Sequence, residues 1–341
     1  MLGLVTGIVF LIVVSFGIKR SLPAAIRESG SAAQTIVIKW NGPLNVAAAG
    51  VVLGVSDGLF QEVRLSPRLE AGADDEEVAR AVVASDQVVG HVSAMGFLRA
   101  RAAGLPIVAI AASYIANSVR LFVLDATVLR SPSDLIGKSL ACKSSSEVGL
   151  VVEALISRNG VQRSLVKVTD ASSTVSQLIS GAVDVLPGYQ EIEGAELRSL
   201  NVSYRTLDPG AFGIHIPGSV YIVSAQMLAN STRVAEAFVS ALLASWARAD
   251  LNPNRTAEVI AEALGASARP QNVIVLLEQQ RDLIRPFGAR MAELDLARWQ
   301  DFQKLLLQQR LIADPVNLRA AIDFALVPDV YRKRSRSMQA D

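Results

Sequence analysis

Several residues that could bind a small molecule stand at the ends of predicted β-strands. Trp40 and Asn41 close a predicted strand near the start of the chain. An indole ring can stack on a flat ligand, and a side-chain amide can both donate and accept hydrogen bonds. The alternative is that Trp40 is a core residue and Asn41 a turn residue. Ser93 and Met95 stand at the end of another predicted strand, where they could face a ligand or pack in the core.

A run of small polar residues, Ser144, Ser145 and Ser146, lies between a predicted strand and a predicted helix. Its hydroxyl groups and the free N–H groups of the helix could bind a ligand oxygen. The same run also fits a capping box, with Ser144 as the N-cap and Glu147 three residues later. Because Glu147 adds a negative charge to this helix end, the loop favours a neutral or amine-bearing ligand over a sulfonate or nitrate.

An aromatic and acidic segment provides further candidates. Tyr189 and Glu193 lie near the start of a predicted helix at 191–199. Acidic residues also stabilise a helix N-terminus, so a structural role is the alternative. Tyr221 begins a later predicted strand. The candidate ligand-binding residues are Trp40, Asn41, Ser93, Met95, Ser144, Ser145, Ser146, Tyr189, Glu193 and Tyr221.

The composition limits the class of function. The 341 residues are 51% hydrophobic and 19% charged, which is compatible with a large core. A net charge of +1 leaves no excess of cations for a nucleic-acid partner. The single cysteine, Cys142, is expected to be a small buried hydrophobe, and two histidines, His91 and His215, are too few for a histidine-rich metal site. Without a phosphate-binding loop or a catalytic cluster, the sequence predicts no cofactor and no enzyme.

The N-terminus carries an apolar run, Leu2 to Ile18, that is followed by Lys19 and Arg20. Residues 1–34 are therefore predicted to be a signal peptide or an N-terminal membrane anchor, followed by a linker. Cleavage after the small residues near position 32 and retention as an anchor both remain open. A buried core helix is the remaining alternative.

Strand-like and helix-like segments alternate from residue 35 to residue 224, and mostly helical segments follow. This alternation predicts parallel sheets with crossover helices. We expect the chain to cross between two lobes near Asn117 and to return near Gly218, which would create a hinge beside a cleft. The predicted parts are the first part of lobe 1 at 35–116, lobe 2 at 117–217, the second part of lobe 1 with the C-terminal helices at 218–330, and a basic tail at 331–341.

Five segments carry short motifs in a characteristic order and spacing. They are IVIKWNGPLNVAAAGVVLGVSDGLF (36–60), HVSAMGFLRARAAGLPIVAIAA (91–112), LRSPSDLIGKSLACKSSSEVGLVVEALISRNG (129–160), QLISGAVDVLPGYQEIEGAEL (177–197) and FGIHIPGSVYIVS (212–224). Together they resemble the solute-binding proteins of ABC importers that serve thiamine pyrimidine precursors, alkanesulfonates, taurine and nitrate. This resemblance implies the type II periplasmic-binding-protein fold: an α/β protein of two doubly wound sheets joined by a two-crossing hinge, with C-terminal helices on lobe 1.

The resemblance also implies a function. It predicts an exported, monomeric binding protein in the periplasm or at the cell surface, which closes around a small organic solute and delivers it to a membrane permease with its ATPase subunit. Pyrimidine-binding members carry a carboxylate that accepts a hydrogen bond from a ring amine; Glu193 is the nearest match, and Glu191 is the second choice. A thiamine pyrimidine precursor or a similar nitrogen heterocycle is therefore the favoured solute.

Three alternatives stay open. The first is a sulfonate, taurine or nitrate-binding member of the same family. The second is a membrane-anchored ligand sensor with the same fold. The third is an enzyme that resembles these proteins, such as a pyrimidine synthase, although this chain lacks the histidine and cysteine motif on which that chemistry relies.

Overall fold

The computed structural model describes residues 33–265 and 268–337. The predicted signal peptide or membrane anchor, apart from the last two residues of its linker, lies outside these ranges. Within them, no helix combines the length and the apolar character that a membrane span requires.

The described residues form α/β architecture with three groups of paired strands. The strands are β1 (Gln34–Asn41), β2 (Leu65–Ala73), β3 (Val88–Val92), β4 (Ile107–Ala112), β5 (Val119–Leu124), β6 (Ser139–Ala141), β7 (Lys167–Thr169), β8 (Leu186–Tyr189), β9 (Tyr204–Leu207) and β10 (Val220–Ser224).

Helices cover these sheets and form most of the C-terminal part. The α-helices are α1 (Ala49–Ser56), α2 (Leu59–Glu62), α3 (Asp75–Ala84), α4 (Ala94–Ala102), α5 (Glu147–Arg158), α6 (Val175–Ile179), α7 (Glu193–Ser199), α8 (Ala225–Leu251), α9 (Pro253–Leu264), α10 (Pro270–Ile284), α11 (Leu296–Gln308), α12 (Leu318–Ala321) and α13 (Leu326–Ser337).

The sheet of lobe 1 has the strand order β2-β1-β3-β10-β4. β1 runs parallel to β2 and β3, whereas β10 is antiparallel to both β3 and β4. Every residue of β3, β4 and β10 is buried, as expected for strands with a covered sheet face on both sides. Because β10 follows lobe 2 in the chain, lobe 1 is completed only by the returning segment.

Lobe 2 contains a three-stranded antiparallel sheet in the order β8-β5-β9 and a parallel pair, β6 and β7. A bridge between Leu140 and Val185 connects the two groups. The predicted two-lobed α/β class is confirmed, although the strands of lobe 2 are divided between two sheets and are mostly antiparallel.

The C-terminal helices pack on lobe 1, with α8 against α1 and α13 against α8. The expected basic tail at 331–341 is wrong for its first part, since α13 extends through residue 337. Leu326, Val327 and Val330 form its buried face. On the outer face, Lys333 pairs with Glu236 of α8 at 2.7 Å. The buried residues that anchor α13 thus precede residue 331, and the basic residues after them continue the same helix.

The two connections between the lobes lie side by side. The Ser113 N–H donates to the Ser219 carbonyl at 2.8 Å, and the Asn117 N–H donates to the Ile216 carbonyl at 3.2 Å. A Cβ atom on Gly218 would lie 2.5 Å from the Tyr114 Cβ and 2.6 Å from its carbonyl oxygen. Only glycine therefore allows the two segments to approach this closely.

Replacing Gly218 should disturb this contact. We expect Gly218→Ala to lower the free energy of unfolding by about 1–3 kcal/mol, the range for forcing an extra methyl group into a packed site. Thermal or urea unfolding measures the change. Gly210→Ala is the control, because its nearest neighbour is the flexible Asp208 carboxylate at 3.2 Å. Equal effects of the two substitutions would show that the crossings are not tightly packed.

Candidate functional site

A cavity of ≈ 260 Å³ lies between the lobes, at the carboxyl ends of β1 and β3 and at the first turns of α4 and α5. This is the edge at which open α/β sheets bind ligands. Its wall on lobe 1 includes Trp40, Asn41, Asp75, His91, Ser93 and Met95. The opposite wall includes Asn117, Ser118, Ser146, Glu147, Tyr189 and Glu191.

Three aromatic rings pack together on the lobe 1 side of the cleft, and two of them, Trp40 and His91, line it. Because β1 and β3 place Trp40 opposite His91, the two rings stack with centroids 3.5 Å apart. Trp40 is 1% exposed, so its ring belongs to the core and only borders the cavity. Tyr221 is opposite His91 on β10 and packs edge-on against it and Phe238. The expectation that Tyr221 reaches the ligand is wrong here, because it is fully buried and does not line the cavity.

A chain of hydrogen bonds connects the ends of β1 and β3 to α3. Asn41 Nδ2 donates to Asp75 Oδ1 at 2.8 Å, and Asn41 Oδ1 lies 2.6 Å from His91 Nδ1. Since the Asp75 carboxylate only accepts, the Asn41 amide must present its oxygen to His91, and Nδ1 must carry the proton. Burial lowers the pKa of His91 to about 3, so the ring is neutral and its Nε2 is an acceptor.

Ser93 and Met95 both line the cleft, and each has a second role. The Ser93 hydroxyl accepts the Gly96 N–H at 2.9 Å as the N-cap of α4 and donates to Asp75 Oδ2 at 2.5 Å. The Met95 N–H donates to Glu147 Oε2, in lobe 2, at 3.3 Å. The first turn of α4 therefore contacts both the hydrogen-bond chain of lobe 1 and a carboxylate of lobe 2.

The capping box predicted at Ser144 is wrong. A turn from Lys143 to Ser146 delays the helix, and Ser146 is the N-cap of α5, accepting the Gly149 N–H at 3.1 Å. Ser144 and Ser145 are exposed, and the Ser144 N–H donates to Asp170. Of the three serines, only Ser146 lines the cleft.

The two-residue shift places Glu147 at the first position of α5, where it is 4% exposed in the cleft. Its Oε1 accepts a hydrogen bond from Asn117 Nδ2 at 2.5 Å. The sequence patterns predicted Glu147 as a capping residue and placed Asn117 at the crossing between the lobes, without predicting that Asn117 lines the cleft. The sequence did contain a signal for the placement of Glu147. Ser146 is as good an N-cap as Ser144, and a helix that begins after Ser146 has Glu147 at its first position.

Of the two glutamates considered for the ligand carboxylate, Glu191, the second choice, lines the cavity, and Glu193, the first choice, does not. Glu193 Oε2 accepts the Tyr189 N–H at 2.6 Å and does not line the cavity. Glu191, in contrast, lines it: Oε1 accepts from the Ser118 hydroxyl at 2.9 Å. Its other oxygen, Oε2, is buried and has no partner within the described ranges. The preference for Glu193 is corrected, because α7 begins at that residue and uses its carboxylate to hold β8.

The cleft is acidic. Asp75, Glu147 and Glu191 line it, and none of its described lining residues is a lysine or an arginine. Burial, with a smaller contribution from nearby carboxylates, raises the pKa of Glu147 and of Glu191 to about 7. Hydrogen bonds from Asn117 and Ser118 oppose this shift but do not cancel it. The cleft therefore disfavours added negative charge.

Neither Cys142 nor the described acidic residues provide an obvious reactive or metal centre. Cys142 is buried away from the cavity, and burial raises the pKa of its thiol to about 11. Within residues 33–265 and 268–337, no group of histidine, cysteine, aspartate and glutamate side chains could hold a metal ion. His215 lies in an exposed loop outside the cleft.

Removing the Glu191 charge should stabilise the ligand-free protein at alkaline pH. The pKa of this carboxyl rises from 4.5 to about 7 on folding, so the folded state binds its proton more tightly than the unfolded state. The free energy of unfolding therefore falls as the pH rises through that range. We therefore expect Glu191→Gln to be more stable than the wild type at pH 8, by about 1–3 kcal/mol, and similar to it at pH 5. Thermal unfolding at both pH values measures this, with the exposed Glu62→Gln as control. Equal stability at pH 8 would show that Glu191 is fully hydrated without ligand.

Comparisons with known proteins agree with this geometry. No curated protein sequence matches the chain. The structure is similar to the periplasmic aliphatic sulphonate-binding protein SsuA of Escherichia coli, with a TM-score of 0.72 and 14% identity over 85% of this chain and 97% of that one. It is also similar to the alkanesulfonate-binding protein SsuA of Xanthomonas axonopodis pv. citri bound to MOPS, with a TM-score of 0.66 and 16% identity over 86% and 99% of the two chains.

The same fold occurs in an enzyme. The desulfurization enzyme DSZB matches with a TM-score of 0.64 and 14% identity over 88% of this chain and 99% of that one. At these identities the likeness establishes the fold alone. The family model described as NMT1/THI5 like matches residues 45–256, which is more than half of the chain and includes both walls of the cleft except its first residues. The protein therefore belongs to the NMT1/THI5-like family.

Proposed function

We propose that this protein is the extracytoplasmic solute-binding protein of an ABC importer, which captures a small solute between its lobes and delivers it to a membrane permease served by an ATPase. Its family, its two-lobed fold and a cleft at the inter-lobe edge support this proposal. The solved relatives named as sulfonate-binding proteins share this architecture. On this proposal the protein acts in the periplasm or at the cell surface, and residues 1–34 serve export or anchoring.

The acidic lining carries the proposal about the ligand. Asp75, Glu147 and Glu191 face one small cavity without a lysine or arginine among its described lining residues. The buried Glu191 Oε2 lacks a donor, and a ligand amine would supply a charge-assisted hydrogen bond. Tyr189 and the edge of Trp40 provide apolar ring surface beside it. We therefore favour an amine-bearing nitrogen heterocycle, such as a thiamine pyrimidine precursor.

A sulfonate ligand is the second candidate, because two solved relatives are named for sulfonates. A sulfonate would need donors and positive charge, whereas three carboxylates would repel it. Arg120 is the cation that acts on Glu191, but it lies outside the lining of the cleft and pairs with Asp208 at 3.2 Å. The charge distribution therefore favours the amine.

An enzymatic role has less support from the site, even though the fold occurs in an enzyme. The thiol of Cys142 lies outside the cleft, and its raised pKa keeps it protonated near neutral pH. His91 is neutral and is held by Asn41. We propose that the ligand is bound and released unchanged.

A panel of ligands tests the function. We expect 4-amino-5-aminomethyl-2-methylpyrimidine, which carries a cationic amine, to bind one-to-one in calorimetry at pH 8. Its 5-hydroxymethyl analogue is the matched neutral control and should bind about ten- to a hundredfold more weakly, the range for losing a hydrogen bond between charged groups. Taurine and ethanesulfonate should bind more weakly still. Tighter binding of ethanesulfonate, or chemical conversion of the pyrimidine detected by mass spectrometry, would contradict the proposal.

The two glutamates of the β8–α7 segment should differ in effect. Glu191→Gln replaces the unpartnered acceptor with an amide, so we expect affinity for the cationic pyrimidine to fall about ten- to a hundredfold. Glu193→Gln, the matched control, should change affinity less than about threefold, because its carboxylate holds the Tyr189 N–H. Calorimetry measures both variants. A larger loss of affinity in Glu193→Gln than in Glu191→Gln would show that Glu193, and not Glu191, binds the ligand amine.

A further inference from the structure

Glu147 of lobe 2 is hydrogen-bonded both to lobe 1, which must move away from it if the lobes open, and to the connection between the lobes. It belongs to α5 of lobe 2, and its Oε2 accepts the Met95 N–H from α4 of lobe 1. Its Oε1 accepts from Asn117, which lies on the first connection between the lobes. The Met95 N–H is in the first turn of its helix and has no intrahelical acceptor, so the carboxylate satisfies it across the cleft.

The orientation of Asn117 leaves little freedom in this arrangement. Its Oδ1 accepts the Val119 N–H at 2.8 Å, so its Nδ2 must face Glu147. The Met95 donor is a backbone group and cannot be reversed. Both oxygens of Glu147 therefore act as acceptors. A protonated carboxyl can still do this through the lone pair of its hydroxyl oxygen, whereas the amide nitrogen of a glutamine would set one N–H group against another.

Glu147 is also surrounded by groups of its own sign. Asp75 of α3 in lobe 1 and Glu191 of lobe 2 both disfavour its ionisation, and the neutral Tyr189 packs from β8. Burial and these charges raise its pKa from 4.5 to about 7. His91, from β3, is neutral. In the closed cleft, the charge of Glu147 thus lacks compensation from the described side chains that line it.

We propose that Glu147 is the latch that fastens the two lobes, and that it holds them firmly once a cationic ligand lies in the cleft. The proposal about the ligand rests on the proposed function; the latch itself does not need it. The bond to Met95 forms only when α5 approaches α4, and the bond to Asn117 holds the Glu147 carboxylate in the orientation that reaches Met95. A ligand cation offsets the repulsion among Glu147, Glu191 and Asp75. Binding of the ligand therefore lowers the free-energy cost of closing the lobes.

A matched pair of variants isolates the inter-lobe bond. Met95→Pro removes the N–H and the side chain, whereas Met95→Ala removes the side chain alone. Proline is tolerated in the first turn of a helix, so the fold should persist, which circular dichroism checks. Glu147→Gln is the second route to the same loss. Gln190→Ala is a control that removes a different inter-lobe bond, from Gln190 Nε2 to Gln279 Oε1 at 3.0 Å on the exposed rim.

The distance between spin labels at Glu76→Cys and Ser145→Cys, in a Cys142→Ala background, reports closure. Both label positions are exposed, one on each lobe. In the ligand-free protein we expect a short and a long distance, with the short one more populated at pH 5.5 than at pH 8. The sign follows from the raised pKa: protonation removes the cost of burying Glu147, and that benefit is lost as the pH rises through 7.

Met95→Pro should reduce the short-distance population at least fivefold relative to Met95→Ala. Glu147→Gln should reduce it at least fivefold relative to Gln190→Ala. Glu147→Gln should also weaken its pH dependence, which a purely structural role would leave unchanged. If Met95→Pro matches Met95→Ala, or if the wild type shows a long distance alone at both pH values, the latch is overturned. Neither result depends on a ligand.

The ligand adds a separate measurement. Saturating 4-amino-5-aminomethyl-2-methylpyrimidine at pH 8 should convert the wild type to the short distance, and Met95→Pro should bind it at least tenfold more weakly than Met95→Ala. Failure of the pyrimidine to bind any variant would overturn the proposed ligand and, with it, the ligand-dependent part of the latch. The ligand-free comparison would still decide whether Glu147 fastens the lobes.

Discussion

Carboxylates that share a cleft, with no lysine or arginine among its described lining residues, impose the main constraint on this protein. Glu147 is buried in the cleft and Glu191 has one oxygen, Oε2, buried there, and each receives only one or two hydrogen bonds from the described residues. A fully buried ion pair would balance such charges internally. Here the balance must come from a proton or from a ligand. In both proposals, the preferred solute, the response to pH and the position of the lobes therefore follow from the same uncompensated negative charge.

The sheet of lobe 1 brings the other half of the site together. Asn41 and His91 are far apart in the chain, but their strands, β1 and β3, are neighbours and end at the same edge. Asp75 begins the helix that follows β2, on the other side of β1. Parallel strands thus collect three polar residues that the sequence separates by up to 50 positions. Their mutual hydrogen bonds fix the proton on His91 before any ligand arrives.

The sequence was sufficient for the fold class because alternating strand and helix patterns need only approximate boundaries. The site required finer placement. A shift of two residues in the start of α5 moved Glu147 from a cap into the cleft, and a shift of two residues before α7 exchanged Glu191 with Glu193. Tyr221 was misjudged because a strand position does not reveal which face is turned to solvent when both faces are covered. Asp75, and the contact of Asn117 with Glu147, could not be found without knowing which elements are neighbours in space.

The insertion of β10 between β3 and β4 has a consequence for how the chain acquires its structure. Those two neighbours end by Ala112, yet the strand that joins them begins at Val220, after the whole of lobe 2. The central sheet therefore depends on contacts between distant parts of the chain, which slows folding. During synthesis, the N-terminal part would emerge with β3 and β4 still lacking their shared partner. On the proposed function, such a delay would keep the chain open for longer, in the form that can be threaded across a membrane.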